Sequence, residues 1–246
     1  WDPGQLVWAD LLTDDVEAAR QFYADVFGWQ FVGDERYLQA SNAGVPVAGI
    51  ARHEPRDPEV SEVAWLVSIS VEDVDRVANQ VPGAGGKVLE GPLTVAKRGR
   101  YAIVEDGQGA VFVALRSEQG DPADRKHVDN EWVWADLWTL VPERAVRFYG
   151  DVAGFESKVI QGGEYSYTAL LRDRKPRTGV VRLPCDDVLP HWLPYLRVAD
   201  VADTIARVER AGGYVLLPPG VENANVAIVS DPTGGVFAIQ APEEVQ

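Results

Sequence analysis

Residues 5–12, QLVWADLL, alternate along a strand, with Val7, Ala9 and Leu11 pointing one way and Trp8, Asp10 and Leu12 the other. The period then changes. Val16, Ala19, Phe22, Tyr23 and Val26 recur at helical spacing and give one apolar face. Thr13-Asp14-Asp15 supplies a cap, Glu17 places negative charge in the first turn, and Gly28 stops the helix. Short apolar runs at 29–33, 36–41 and 46–52 predict three strands. After a polar loop at 53–59 the same order returns: a strand at 63–71, a helix at 71–81, a glycine-rich break at 83–86, and strands at 87–90, 101–105 and 110–115.

The whole arrangement is then repeated. Trp-Ala-Asp-Leu at 8–11 is identical at 134–137, and Phe22-Tyr23 returns as Phe148-Tyr149. Trp65 and Asp73 return as Trp192 and Asp200, Gly85-Gly86 as Gly212-Gly213, and Asp106, Gly109 and Phe112 as Asp231, Gly234 and Phe237. Four βαβββ modules in two pairs follow, an α+β class. The polar stretch 118–129, with Gly120 and Pro122, marks a boundary. The expected domains are 1–118, divided near 53–61, and 131–246, divided near 184–190, with 119–130 as linker.

Composition narrows the partners. Hydrophobic residues make up 46% and charged residues 25%, as in a globular protein with a core. No apolar run reaches the roughly 18 residues of a membrane span. A net charge of -15 disfavours nucleic acid, whose phosphates are bound by clustered Lys and Arg. Cys185 is the only cysteine, which rules out an intramolecular disulfide, and no base stands near it in sequence to activate the thiol. The first residue is Trp and Met is absent, as expected of a processed or trimmed chain. The location is then cytoplasmic, or periplasmic or secreted if a signal segment was removed.

The ordered motifs resemble the vicinal oxygen chelate superfamily, the glyoxalase, bleomycin-resistance and extradiol dioxygenase group. The features that carry the resemblance are Leu11-x-x-x-Asp15 before a helix ending in Phe22-Tyr23 and Gly28, then Trp65, Val71, Asp73 and Gly85-Gly86. Gly99-Arg100-x-Ala102 and Asp106-Gly107-Gln108-Gly109-Ala110 close the set, and the second half repeats it with Asp231-Pro232-Thr233-Gly234. The resemblance implies two glyoxalase-like domains, each an open barrel-like mixed sheet with helices outside. It also implies an internal pseudo-dimer in a monomer, or a homodimer.

In metal-dependent members the resemblance places His, Glu or Gln ligands at fixed strand positions. Here these fall on Trp8, Leu66 and Val113, and on Trp134, Leu193 and Ala238, none of which can ligate a divalent ion. The remaining ligand places, in 44–52 and 176–183, contain no His, Glu, Asp or Gln. His53, His127 and His191 are read as loop or strand-flanking residues. No metal and no cofactor is expected.

Alternation with this fold directs Trp8, Asp10, Leu12, Leu66, Ser68, Ser70 and Val113 into a first cavity. Trp134, Asp136, Trp138, Leu193, Tyr195, Arg197, Ala238 and Gln240 face a second. Apolar walls with a few polar groups suit a small molecule, and Trp8, Trp134 and Trp138 offer stacking faces. Asp10 and Asp136 are read as structural hydrogen-bond acceptors, to backbone or an indole N–H, or as a general base or ligand anchor. Arg197 is the expected ion-pair partner of Asp136. Three functions remain open: a metal-free small-molecule-binding protein, a metal-independent lyase or isomerase using Asp10 or Asp136 as acid or base, and a scaffold for protein–protein interaction.

Overall fold

A computed structural model describes residues 1–55, 62–122, 128–162, 165–184, 187–220 and 225–242. Cys185, His127 and parts of the expected boundary segments 53–61, 119–130 and 184–190 lie outside these. The first half forms β1 (Leu6–Thr13), α1 (Val16–Phe27), β2 (Gln30–Gly33), β3 (Tyr37–Asn42), β4 (Val45–Arg52), β5 (Ala64–Ser70), α2 (Val74–Gln80), β6 (Lys87–Val95), β7 (Gly99–Glu105) and β8 (Val111–Ser117). The second half repeats it as β9 (Trp132–Thr139), α3 (Pro142–Ala153), β10 (Glu156–Gly162), β11 (Tyr165–Arg172), β12 (Lys175–Arg182), β13 (His191–Arg197), α4 (Val201–Arg210), β14 (Tyr214–Leu217), β15 (Val226–Ser230) and β16 (Val236–Gln240). The strands form two open eight-stranded mixed sheets, in the order β2-β3-β4-β1-β5-β8-β7-β6 and β10-β11-β12-β9-β13-β16-β15-β14. Within each module the first and last strands pair in parallel and the others antiparallel.

Helix ends follow the local chemistry. Asp15 caps α1 through the Ala18 N–H at 3.0 Å, and Gly28 ends it with φ of 71°. The helix expected at 71–81 is shorter, because Asp73 accepts from the Arg76 N–H at 3.0 Å and fixes the start at Val74. The strand expected at 87–90 runs on to Val95, with register shifts on either side of Glu90 that admit Gly91-Pro92. α3 has no side-chain cap of its own. Gln108 takes that role: its Oε1 accepts from the Val141 N–H at 2.9 Å, and its Nε2 donates to the Val141 carbonyl at 3.1 Å.

Two compact units emerge from the packing, each built from both halves. The first comprises Trp1–Val7, Val67–Asp124 and Trp134–Leu193; the second comprises Trp8–Leu66, Arg125–Val133 and Pro194–Gln246. Each has its own core. In the second unit Ala9, Leu11, Ala48, Ile50, Phe237 and Ile239 pack with the apolar faces of α1 and α4. In the first unit Val67, Ile69, Val104, Phe112, Ala135 and Leu137 do so with α2 and α3. Ala9 and Leu11 of the side of β1 read as helix-facing thus pack in the core, as do Ala135 and Leu137 of β9.

A buried polar chain runs through each core. In the second unit Trp65 Nε1 donates to the Tyr23 hydroxyl at 3.0 Å, and that hydroxyl donates to Asp231 Oδ2 at 2.7 Å. The first unit repeats it from Trp192 Nε1 to Tyr149 at 3.1 Å and from Tyr149 to Asp106 Oδ2 at 3.3 Å. The other carboxylate oxygen holds the turn: Asp106 Oδ1 accepts from the N–H groups of Gln108 and Ala110, and Asp231 Oδ1 from those of Thr233 and Gly235. Burial pushes both phenols well above their ordinary range, and the neighbouring carboxylate adds to the shift. The repeated Gly86 and Gly213 have a packing reason. A Cβ would strike the Glu105 carbonyl and Phe148 in one case, and the Ser230 carbonyl and Phe22 in the other.

Replacing either tyrosine, Tyr23→Phe or Tyr149→Phe, leaves a buried indole N–H and a carboxylate oxygen without their partner. Each is expected to cost about 1–3 kcal/mol in urea unfolding. The Asp106 carboxyl is raised by burial, against the pull of its backbone and Tyr149 donors. The native state therefore binds this proton more tightly than the unfolded chain. That contribution is complete below the unfolded value of about 3.9 and is lost as pH rises through the folded value. Unfolding curves of Asp106→Asn should show a smaller fall in stability over that window than those of the parent chain.

Candidate functional site

Asp10 and Asp136 stand at equivalent places on β1 and β9, and each is the centre of a polar group on an otherwise apolar strand. They are 4% and 5% exposed. In the second unit Asp10 Oδ1 accepts from Trp8 Nε1 at 2.8 Å and from the Tyr37 hydroxyl at 2.9 Å. In the first unit Asp136 Oδ1 accepts from Trp134 Nε1 at 2.8 Å and from the Tyr167 hydroxyl at 2.9 Å. Trp134 Nε1 also reaches the Tyr167 hydroxyl at 3.1 Å. Of the two readings of these carboxylates, the indole hydrogen bond is present in both copies.

The backbone makes room for the pair. Asp10 lies opposite Gly49 in the β1–β4 register, and Asp136 opposite Gly179 in the β9–β12 register. A Cβ at Gly49 would collide with Asp10 Oδ1 and the Tyr37 hydroxyl; one at Gly179 would collide with Tyr167 and Asp136 Oδ1. Phenol and carboxylate thus meet directly above a glycine peptide. The sequence reading had the Asp and Trp but not Tyr37, Tyr167, Gly49 and Gly179. Their signal was available: both pairs recur at the same offset of 130 residues. Burial raises the Tyr167 phenol strongly, and the Asp136 charge and its hydrogen bond add to this, so the phenol stays a proton donor.

The other expected site residues divide between the two units. Trp8, Asp10, Leu12, Leu66, Tyr195, Arg197, Ala238 and Gln240 belong to the second; Ser68, Ser70, Val113, Trp134, Asp136, Trp138 and Leu193 belong to the first. Arg197 does not serve Asp136. Its Nε donates to Asp129 Oδ1 at 2.9 Å, because Asn130 N–H bonds the Arg197 carbonyl and brings the acid of that segment alongside. Ser70 donates to Asp121 Oδ2 at 2.6 Å, which also holds the Asp2 N–H, so Ser70 tethers the first residues of the chain. Ser68 is fully buried opposite Val113, and its hydroxyl has no partner among the described residues. The same is true of Trp138 Nε1, whose ring lies nearly parallel to His191 at 6.4 Å. Leu12 occupies the matching place on β1.

The six places read as metal-ligand positions carry indole, isobutyl, isopropyl and methyl groups. Among the described residues, no three His, Cys, Asp or Glu side chains come together as ion ligands. The donor set at these places does not fit a divalent metal.

Residues 5–113 match the family model described as the glyoxalase/bleomycin resistance protein/dioxygenase superfamily. The chain is 31% identical over 249 residues to the "Putative glyoxylase CFP32" of Mycobacterium bovis, covering 97% of this chain and 95% of the relative. It is 28% identical over 255 residues to the anthracycline biosynthesis protein DnrV of Streptomyces peucetius, covering 96% and 93%. Among solved structures it is similar in fold to the Mn(II)-bound glyoxalase from Novosphingobium aromaticivorans. That TM-score is 0.67 at 20% identity, over 98% of this chain and 82% of the other.

The raised Tyr167 phenol sets an alkaline expectation. Its contribution to stability is complete below the unfolded value of about 10 and is lost as pH rises through the folded value. In an absorbance titration of the native protein, Tyr167 should ionise after the exposed tyrosines. Tyr167→Phe should remove one late phenol and flatten the alkaline loss of stability.

Proposed function

Because the chain belongs to the glyoxalase/bleomycin resistance protein/dioxygenase superfamily, we propose that it binds a small, planar, oxygen-bearing molecule and does so without a divalent metal. The observation that carries this reading is the twinned indole–carboxylate–phenol group. At the place where the family's metal-dependent members are expected to present a ligand, both halves present an indole tied to an aspartate. Carbon side chains at the other metal-ligand places favour the same reading. Within the second unit the Trp8 indole would stack on a ligand and Asp10 would accept from one of its hydroxyls; within the first unit Trp134 or Trp138 and Asp136 would do the same. A relative named for anthracycline biosynthesis is consistent with a fused aromatic ring system as the ligand class.

Loss of binding or of catalysis separates this from the reading of Asp10 or Asp136 as an acid or base. A dihydroxyanthraquinone is a suitable probe, titrated against tryptophan fluorescence after exhaustive chelation. Saturable quenching should survive the chelator. Asp136→Asn or Asp10→Asn should weaken it about tenfold, as expected for losing one hydrogen bond to a charged group. Binding that disappears on chelation and returns with a divalent ion would sink the proposal. Turnover lost in the same variants with binding retained would instead favour the acid–base reading.

A further inference from the structure

A cleft of about 460 Å³ opens in the first compact unit, away from the Trp134–Asp136–Tyr167 group. It lies between the turn after α2, the turn joining β7 to β8, and one side of α3. Peptide planes at Gly83, Gly85 and Gly107 form one wall without side chains, and Phe148 contributes an apolar surface. Arg144 and Arg147 line the same cleft and are both exposed. Three positions apart on one helix, they project from the same face, with Cβ atoms about 5–6 Å apart.

Three observations mark these two arginines as a recognition element. First, neither guanidinium has an ion-pair or hydrogen-bond partner among the described residues, although the chain is strongly acidic and Arg100, Arg172, Arg177 and Arg197 all pair with carboxylates. Second, the buried carboxylate in the lining does not neutralise them. Asp106 is committed to Gln108, Ala110 and Tyr149. Third, the duplication supplies an internal control. The second compact unit builds the corresponding corner from α1 and the Asp231–Gly234 turn, and there Ala18 and Gln21 stand where Arg144 and Arg147 do. Gln21 simply bonds Asp25 at 2.8 Å. The fold thus needs neither arginine.

We propose that this cleft binds an oxyanion-bearing small molecule, a phosphate monoester or a carboxylate, through Arg144 and Arg147. Paired planar guanidinium forks match the oxygens of either group. Asp151 on the same lining accepts from a hydroxyl of the ligand body, which selects a hydroxylated compound over a second anion.

Calorimetric titration of the full chain at constant ionic strength, with sodium chloride as the reference salt, tests this. Glycerol phosphate and glycerate are the two probes. One or both should bind saturably, and the responding probe identifies phosphate or carboxylate as the recognised group. The double variant Arg144→Ala with Arg147→Gln imports the residues of the other copy, so it should unfold at the parent temperature and bind at least about tenfold more weakly. A second readout needs no variant: amide shifts on titration should move at Gly85 and Gly107. The proposal is overturned if neither probe binds beyond the chloride reference, if the double variant binds equally well, or if the shifts fall only elsewhere.

Discussion

The hydrogen bond from a helix phenol to a turn carboxylate organises each compact unit. Tyr23 and Tyr149 are fully buried, and a buried hydroxyl is tolerated only when it is satisfied. Each has one donor above it, the Trp65 or Trp192 indole, and one acceptor below, Asp231 or Asp106. The acceptor in turn gathers the backbone of a tight turn. One phenol therefore fixes a helix, a strand and a turn at once, and the aromatic packing around it follows. Tyr23 stacks on Trp29 at 5.2 Å and meets Trp65 edge-on at 5.4 Å; Tyr149 meets Trp192 edge-on at 5.4 Å.

The twinned Trp–Asp–Tyr groups use similar chemistry at the sheet face. Each carboxylate is held by two neutral donors, an indole and a phenol. In both copies the indole and the phenol fix the same carboxylate oxygen in a largely apolar setting. The two copies have diverged around this constant element. Leu12 against Trp138, Ala64 against His191, and Ala18 and Gln21 against Arg144 and Arg147 all place the more interactive residue in the first unit.

Much of the fold was legible because periodicity reports burial directly. The alternation of β1 separated Ala9 and Leu11 from Trp8 and Asp10, and the repeat of Phe-Tyr, Trp, Gly-Gly and Asp-x-x-Gly marked the modules. Which copy would pack with which was not legible. The repeated motifs are nearly the same in both halves, so Tyr23 has equivalent carboxylates at Asp106 and Asp231, and one-dimensional pattern cannot choose between them. Tyr37 and Gly49 were missed for a related reason. Their meaning depends on a neighbour across the sheet, where a glycine reads locally as a weak strand residue and a tyrosine as an ordinary one. Arg197 misled because its acid, Asp129, lies in a stretch that reads as linker.

The pairing of modules sets the sequence in which the molecule can be completed. Asp106 and Tyr149 are 43 residues apart, whereas Tyr23 and Asp231 are 208 apart. During synthesis the core of the first unit has all its partners once Trp192 has emerged. The core of the second must wait, with Tyr23 lacking its carboxylate, until the Asp231 turn is made. The closure entropy for the longer separation grows only slowly with length, so the delay is one of supply more than of free energy. The N-terminal module is thus the part of the chain exposed longest in an incomplete state, and its aromatic cluster is the surface a nascent chain must keep from misassociating.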